Sequence, residues 1–167
     1  KECKIFFGFA GAMVPGGMKN IIIDMLNNNL IDVFVTTGAN LTHDLIEALG
    51  YKHYQGRKDI DDRELHKEGI DRIYETFMPN EVYQGLEDFF SKHFSELSKE
   101  EMTITEFLWK IGSFIETKNS ILKVCSEKKT PIFCPAIADS GIGLMVWGHL
   151  AKGRSIKVYA FDDLKDI

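Results

Sequence analysis

Short apolar runs and longer amphipathic stretches divide the chain into alternating elements. Four runs rich in β-branched and aromatic residues predict strands at 5–7, 31–37, 131–135 and 156–160. Segments with apolar residues three and four positions apart predict helices. These lie at 18–26, 41–49, 103–116, 120–128 and 142–151, with a further helical stripe formed by Val82, Leu86, Phe89, Phe90 and Phe94.

The order of these elements predicts the fold class. Repeated alternation of strand and helix is typical of parallel strands joined by right-handed crossovers. Residues 50–64 carry a run of charges and are interpreted as a surface excursion, and a break at Pro79 precedes the helical stripe. The pattern therefore predicts an α/β protein that forms one domain over residues 1–167. We expect an open, mostly parallel sheet with helices on both faces and a helical insertion before the third strand.

Composition and charge exclude several classes of protein. Hydrophobic residues make up 44% and charged residues 27% of the 167 positions, as in globular domains. The net charge of −5, without a basic stripe, argues against nucleic-acid binding, and no apolar run is long enough to cross a membrane. Cys3, Cys125 and Cys134 lack CxxC spacing and are interpreted as reduced thiols of a cytoplasmic protein.

The two ends of the sequence indicate a piece of a longer protein. The chain begins at Lys1, enters its first predicted strand almost at once, and stops at Ile167, just after Asp162 opens a helix-like segment. Natural domains seldom begin and end flush with their elements. We therefore expect this chain to be a fragment.

A glycine-rich loop follows the first predicted strand. Gly8, Gly11, Gly16 and Gly17 surround Pro15, and an amphipathic helix follows directly. A strand, a glycine-rich turn and a helix bring backbone N–H groups and a helix N-terminus close to a phosphate. The same arrangement is also an ordinary turn, and the usual dinucleotide pattern GxGxxG is absent.

Three polar or glycine-rich segments, 8–17, 36–40 and 136–141, follow predicted parallel strands. Ligands of open α/β sheets bind beyond the carboxyl ends of the strands, so these segments should meet at one edge. Thr36 and Thr37 offer hydroxyl groups, and Asp139 offers a carboxylate that could bind a ribose hydroxyl or a carboxamide. The composition suits a dinucleotide, although Asp139 could equally be the N-cap of the following helix.

Two residues near the start of the second predicted helix, His43 and Asp44, are further candidates. The helix dipole favours Asp44 at a helix N-terminus and is a sufficient structural reason for it. His43 either faces a ligand or makes a local hydrogen bond. The remaining histidines lack metal-ligand spacing, so we expect no metal, and neither a catalytic triad nor a desolvated lysine nucleophile is evident.

Four blocks of sequence resemble a known family. They are IFFGFAGAMVPGGMKNII, VFVTTGANLTHDLIEAL, GIDRIYETFMPNEVYQGLEDFF and PIFCPAIADSGIG. In this order they resemble deoxyhypusine synthase and its relatives along nearly the whole chain, and TTGANLTHDL resembles the deoxyhypusine-synthase-like branch. The resemblance implies a Rossmann-like fold and an NAD-dependent transferase that is usually a homotetramer.

The resemblance also implies a reaction and a set of site residues. The family dehydrogenates spermidine with NAD, moves the aminobutyl group to an enzyme lysine as an imine, and passes it to a lysine on the precursor of translation initiation factor 5A, after which the stored hydride reduces the product. The cofactor contacts fall on Gly11, Ala12, Met13, Val14, Pro15, Thr37, Gly38, Ala39 and Asp139. Polyamine and cofactor contacts in the helix after the second of these loops fall on Thr42 and His43.

Several positions depart from the family pattern. Gly11, Ala12 and Pro15 stand where Ser and Asn are usual, so only backbone contacts could remain there. His43 replaces an acidic residue of the eukaryotic enzymes, and Leu144 occupies the position of an acidic polyamine contact, although cationic polyamines require carboxylates. The glycine-rich triplet, the histidine and the catalytic lysine of the family lie beyond the C-terminal end of this sequence. No catalytic residue is therefore assigned, and this fragment alone is expected to be inactive.

Four functional hypotheses remain open at this point. The first is deoxyhypusine synthesis, completed by the missing C-terminal part. The second is a synthase-like enzyme with another amine acceptor, such as one that forms homospermidine. The third is a non-catalytic NAD-binding subunit whose partner supplies the lysine. A sirtuin-like deacylase shares the glycine-rich turn, but the cysteine spacing argues against its zinc site.

Overall fold

The architecture was determined from a computed structural model that describes residues 3–166, without the side chains of Leu164 and Asp166. Lys1, Glu2 and Ile167, the ends on which the fragment interpretation rests, lie outside the described residues. The α-helices of the described part, α1 to α7 in chain order, are Lys19–Asn27, Gly38–Ala48, Asp62–Lys67, Val82–Leu97, Ile104–Phe114, Ile121–Lys128 and Gly141–Ala151. The strands of that part, β1 to β8, are Phe6–Phe9, Val33–Thr36, Tyr54–Gln55, Ile70–Ile73, Thr76–Pro79, Met102–Thr103, Ile132–Phe133 and Val158–Tyr159. In the same residues, no helix combines the length and apolar character that crossing a membrane requires.

A parallel sheet of three strands organises the fold in the order β1-β2-β7. Phe7 pairs with Phe34 and Phe34 with Ile132, so β2 is the central strand. The chain passes from β1 to β2 through α1, and from β2 through α2 and the long insertion to β7. The predicted α/β class with an open parallel sheet is confirmed.

The two faces of this sheet are covered unequally. Side chains alternate between the two faces of a strand, and those of Phe34 and Ile132 lie on one face, where both are fully buried. Phe6 and Val35 point to the opposite face, where Phe6 is 51% exposed. The start of α5 and the 3₁₀ helix Asp162–Asp166 border a largely apolar groove of about 430 Å³ on that side. The face around Phe34 and Ile132 is therefore covered, with Phe7 partly buried at its edge, and the other face is covered only in part.

The fourth predicted strand, at 156–160, forms but does not join the main sheet. Val158 and Tyr159 pair in parallel with Met102 and Thr103, giving a separate two-stranded sheet. The prediction of a strand was correct and its expected place in the sheet was wrong. The partner segment is only two residues long and immediately precedes α5, which explains why its strand character is invisible in the sequence.

The insertion between α2 and β7 is not wholly helical, which corrects the prediction. Residues 54–79 contribute an antiparallel sheet in the order β3-β5-β4 as well as the short helix α3. Strands β4 and β5 form a hairpin in which Ile73 pairs with Thr76, and Tyr74 takes a left-handed conformation at φ 54° in the turn. The predicted break at Pro79 marks the end of β5, and the aromatic stripe that follows lies on α4 as expected.

Helix N-caps fix several boundaries. Thr103 and Glu106 form a capping box at the start of α5. Helix α2 begins at Gly38 rather than at residue 41, because the Thr37 side chain accepts a hydrogen bond from the Asn40 N–H group. Because the helix starts about one turn earlier than predicted, the polar residues at 42–44 lie in its middle and not in its first turn.

Candidate functional site

Asn40 connects the loop after β1 with the loop after β2. Its side-chain oxygen accepts hydrogen bonds from the N–H groups of Met13 at 3.2 Å and Val14 at 3.1 Å. Its amide nitrogen donates to the carbonyl of Phe9 at 3.1 Å, and the side chain is fully buried. One amide side chain thereby holds both the beginning and the middle of the glycine-rich loop against α2.

The loop after β2 also touches the loop after β7. A Cβ atom built on Gly38 would lie 2.4 Å from Ser140 Cβ and 2.6 Å from Ser140 Oγ, so only glycine fits at this contact. The Thr42 hydroxyl accepts a hydrogen bond from the Ile142 N–H group at 3.1 Å. The three segments that follow the parallel strands therefore meet at one edge of the sheet, as the sequence predicted.

The surface of this edge is lined by small residues and by one carboxylate. Gly11, Ala12, Ala39 and Asp139 are exposed, and Met13 is partly exposed. Gly11 has a φ of 80°, which a residue with a side chain adopts only with strain. No acceptor for the N–H groups of Gly38 and Ala39, in the first turn of α2, is found between residues 3 and 166.

The other predicted cofactor residues lie below this surface. Val14 and Pro15 are buried, and they shape the loop from within. Thr37 acts as the N-cap of α2 and is half-buried, so it stands at the same edge with its oxygen already occupied. Gly38 is buried against Ser140. Any contact of these four residues with a ligand would therefore be made through their backbone atoms, or by Thr37 at the border of the exposed surface.

Asp139 is not a helix cap, which removes one of the two alternatives for this residue. The N-cap of α7 is Ser140, whose hydroxyl accepts from the Gly143 N–H group and donates to the Ile137 carbonyl. Within the described residues the Asp139 carboxylate has no hydrogen-bond partner, and it is exposed beside the loop after β2. This carboxylate is therefore available to a ligand.

Asp44 does not stabilise the N-terminus of its own helix, contrary to the interpretation from the sequence. Its fully buried carboxylate accepts hydrogen bonds from the Ile121 and Leu122 N–H groups and from the Ser120 hydroxyl. Burial raises the pKa of Asp44, and these hydrogen bonds oppose the rise. The residue caps α6 from α2 and has a structural role.

His43 makes a local hydrogen bond, one of the two alternatives that the sequence left open. Its Nδ1 atom lies 2.9 Å from Nε2 of His53, and Nδ1 of His53 lies 2.8 Å from a carboxylate oxygen of Glu47. The second carboxylate oxygen of Glu47 pairs with the buried Lys19 at 2.5 Å. These four side chains form a continuous hydrogen-bonded chain, which we call the His43 relay.

Burial controls the protonation of the His43 relay. It lowers the pKa of His43 from 6.5 to about 4, with a further contribution from neighbouring His53. Burial alone would raise the pKa of Glu47, but hydrogen bonds from His53 and Lys19 outweigh it and hold that pKa below its usual range. At neutral pH the relay therefore contains a carboxylate, an ammonium group and a neutral His43.

Neither a metal site nor a reactive thiol is formed by the buried side chains of this part of the chain. Within residues 3–166 no group of three or more His, Cys, Asp and Glu side chains is arranged to hold a metal ion. Cys125 and Cys134 are buried, and burial raises the pKa of Cys134 to about 12. Cys134 therefore packs as a small buried hydrophobic residue.

Sequence reasoning missed four residues that organise the edge. They are Asn40 and the relay residues Lys19, Glu47 and His53, none of which stands out as a site residue in the sequence. The spacing of Ala39, His43 and Glu47, four residues apart each, could have placed them on one face of α2. The contribution of His53 depends on the chain folding back after α2, which no local pattern reveals.

Comparison with known proteins gives one consistent result. The sequence model of the family described as deoxyhypusine synthase matches residues 1–167. The "Probable deoxyhypusine synthase 1" of Methanosarcina mazei is 44% identical over 161 residues, which cover 96% of this chain and 50% of that protein. The "Deoxyhypusine synthase-like protein" of Chlorobaculum tepidum is 40% identical over 171 aligned positions, which cover 99% of this chain and 49% of that protein.

A solved structure has the same fold. The Entamoeba histolytica protein described as "a putative deoxyhypusine synthase" superposes with a TM-score of 0.69 at 19% identity, over 98% of this chain and 51% of that one. At this identity the likeness concerns the fold alone. The chain spans about half the length of the curated relatives it matches.

Proposed function

Because this chain belongs to the deoxyhypusine synthase family, we propose that it forms the cofactor-binding part of an NAD-dependent transferase. The whole protein would transfer the aminobutyl group of spermidine to a lysine on the precursor of translation initiation factor 5A. The chain spans only half of its relatives, so the catalytic lysine is assigned to the part of the family fold that this sequence does not include. We further propose a cytoplasmic homotetramer, by analogy with the family.

The observation that carries the proposal is the contact between the three loops at the edge of the sheet. Asn40 ties the glycine-rich loop to α2, and Gly38 brings α2 against the loop that contains Asp139. This is the place where open α/β sheets bind nucleotides. The exposed small residues allow a ligand to reach the backbone, and the N-terminus of α2 offers N–H groups to a phosphate.

The residues of this edge fit NAD. Gly11, Ala12 and Met13 would face the cofactor with their backbone, and Ala39 would leave room above the first turn of α2. Asp139, which has no hydrogen-bond partner among residues 3–166, would accept hydrogen bonds from a ribose hydroxyl or the carboxamide. NAD, when bound, would store the hydride that is removed from the polyamine.

The polyamine contacts expected at Thr42 and His43 differ in their availability. Thr42 is buried and its hydroxyl oxygen is occupied by the Ile142 N–H group, so its role in this chain is to hold α7. His43 is only half-buried and stands one turn below Ala39. We therefore assign the polyamine contact on α2 to His43.

Titration calorimetry of the intact protein with NAD tests the cofactor assignment. We expect saturable binding that is weakened at least about tenfold by Asn40→Ala, because the glycine-rich loop then loses two of its fixed N–H groups. Asn20→Ala, at an exposed position on α1, is the matched control and should bind as the unmodified protein does. Absence of binding at millimolar NAD would contradict the assignment.

A second candidate function, formation of homospermidine or a related polyamine, is favoured by the loss of two carboxylates. His43 is neutral, and Leu144 is 58% exposed on α7 where the family resemblance expects an acidic contact. Incubation of the intact protein with NAD and labelled spermidine separates the candidates. Label on the factor precursor supports deoxyhypusine synthesis, label on added putrescine supports the second candidate, and label on neither would favour a non-catalytic NAD-binding subunit.

A further inference from the structure

The His43 relay fixes which ring nitrogen of each histidine carries a proton. The Glu47 carboxylate can only accept, so Nδ1 of His53 must donate to it. Glu47 is the one carboxylate opposite both Lys19 and His53, and the His53 side chain is only 5% exposed, so the relay is electrically neutral only when Lys19 is its single cation. In that state Nε2 of His53 is an acceptor.

The same reasoning determines the tautomer of His43. In the electrically neutral relay Nε2 of His53 accepts, so Nδ1 of His43 donates to it across the 2.9 Å contact. The two rings meet edge to face, with centroids 4.9 Å apart, so the contact also fixes the ring orientation. Nε2 of His43 is then left with a lone pair and no proton.

This lone pair is directed away from the relay and is not sequestered. Nε2 of His43 has no partner among residues 3–166, and it is not one of the buried polar atoms. His43 and the exposed Ala39 share one face of α2. The relay as a whole carries no net charge, because the Lys19 ammonium balances the Glu47 carboxylate.

We propose that His43 determines the substrate specificity of the site as an uncharged hydrogen-bond acceptor that the relay holds in its Nδ1–H tautomer. The inference rests on the proposed function, because the ligand that would donate to Nε2 is the amine of that reaction. The acceptor indicates the class of ligand. It is an amine that donates an N–H hydrogen bond to Nε2 of His43 without needing a carboxylate at this position to balance its charge. A site with Glu at position 43 would instead require a cation there.

Nuclear magnetic resonance of the intact protein, selectively labelled with 15N-histidine, tests the relay without reference to activity. Long-range 1H–15N correlation distinguishes protonated from unprotonated ring nitrogens, and the free imidazole favours the Nε2–H tautomer. We expect the Nδ1–H tautomer for both His43 and His53 at neutral pH. An Nε2–H tautomer at His43 would overturn the proposal.

Two substitutions of His53 test whether the His43 tautomer depends on the hydrogen bond to His53 or only on the packing of its ring. His53→Phe keeps an aromatic ring but removes the acceptor, so His43 should revert to the Nε2–H tautomer. His53→Gln can accept from His43 and donate to Glu47 at once, so it should keep the Nδ1–H tautomer. His66→Ala, at an exposed position on α3, is the control that should change nothing. Equal spectra for the Phe and Gln variants would contradict the relay.

Calorimetry with spermidine, in the presence of NAD, tests the recognition step. His43→Glu should bind spermidine about tenfold more tightly at low salt, with a steeper loss of affinity as salt rises, because it adds a charged acceptor. His53→Phe should weaken binding about threefold to tenfold, and His53→Gln should restore it. Unchanged affinity in His43→Glu and His53→Phe would overturn the role of His43 in recognition.

The two sets of measurements fail in different ways. If neither the unmodified protein nor His43→Glu binds spermidine, the proposed function is wrong, and the recognition role of His43 is wrong with it. The tautomer measurement still decides whether the relay exists, because it requires no ligand. A wrong tautomer in a protein that binds spermidine would refute the relay and leave the proposed function standing.

Discussion

The carboxylate of Asp44 accepts a hydrogen bond from the backbone of Ile121, 77 residues later in the chain, at 2.8 Å. It caps α6 from the middle of α2, with Leu122 and the Ser120 hydroxyl as further donors. We expect Asp44→Ala to lower the free energy of unfolding by about 3 kcal/mol, because three donors lose a buried acceptor. Urea unfolding of the intact protein measures this, with Asp24→Ala on the exposed face of α1 as the control. A loss as small as that of the control would contradict the capping role.

Asn40→Asp should damage the edge of the sheet although it preserves shape. The new carboxylate can still accept from the N–H groups of Met13 and Val14. It cannot donate to the Phe9 carbonyl, so a carboxylate oxygen and the carbonyl oxygen, both acceptors, would lie in contact. We expect about 2 kcal/mol of destabilisation and faster hydrogen exchange at Met13 and Val14. Exchange rates equal to those of the unmodified protein would show that the loop holds its shape without Asn40.

Gly38→Ala should push the second and third loops apart. The added methyl group would overlap Ser140, whose Cβ and Oγ atoms lie 2.4 and 2.6 Å from its position. We expect the stability and the NAD affinity to fall together, and the further change Ser140→Gly to recover part of both. Gly8→Ala is the matched control, since no atom of the described residues 3–166 lies within 4 Å of its Cβ position. A double-mutant cycle measures the coupling, and additive effects would refute direct contact.

The protonation of His43 should appear in the pH dependence of stability. Its pKa falls from 6.5 to about 4 on folding, so between these values the unfolded chain binds a proton that the folded protein does not. The free energy of unfolding should therefore decrease as the pH falls from 6.5 to 4, by about 3 kcal/mol, and this group should contribute no slope above pH 6.5. His43→Gln should lack this part of the slope, and identical pH profiles for the two proteins would contradict the shift.

The thiols should differ sharply in reactivity. Cys3 is exposed, whereas Cys125 and Cys134 are buried with raised pKa values, and the reactive species is the thiolate. We expect one thiol to react quickly with a disulfide reagent in the native protein and all three after denaturation. Cys3→Ser should abolish the fast phase, and its persistence would show that a buried thiol is accessible.

The central part of the fold follows from local patterns in the sequence. The aromatic and β-branched runs of β1 and β2 and the glycine-rich loop between β1 and α1 are features of consecutive residues, and they predicted both the parallel pairing and the meeting of the loops. The hairpin at 70–79 was missed because Asp71 and Arg72 interrupt its apolar alternation. A two-residue turn with Tyr74 in the left-handed region also carries no glycine to mark it.

The roles of polar residues on α2 could not be predicted, because their partners are distant in the sequence. Thr42 binds the backbone of Ile142, 100 residues later, and Asp44 caps α6. His43 differs from them in that its partner lies only 10 residues away, yet the contact depends on the path that the chain takes after Gly50. That glycine, with a φ of 98°, ends α2 but does not fix where His53 lies. The family resemblance named Thr42 and His43 together, whereas the structure separates a helix-holding residue from an accessible one.

The dependence of the glycine-rich loop on Asn40 has a consequence for protein engineering. The loop at 10–18 takes its shape from an amide group 26 residues later, so the conformation is acquired only once the second strand and α2 have docked. Grafting these nine positions alone onto another α/β scaffold should transfer the amino-acid sequence without the conformation. A successful transplant would have to carry the asparagine and the first turn of its helix as part of the same unit.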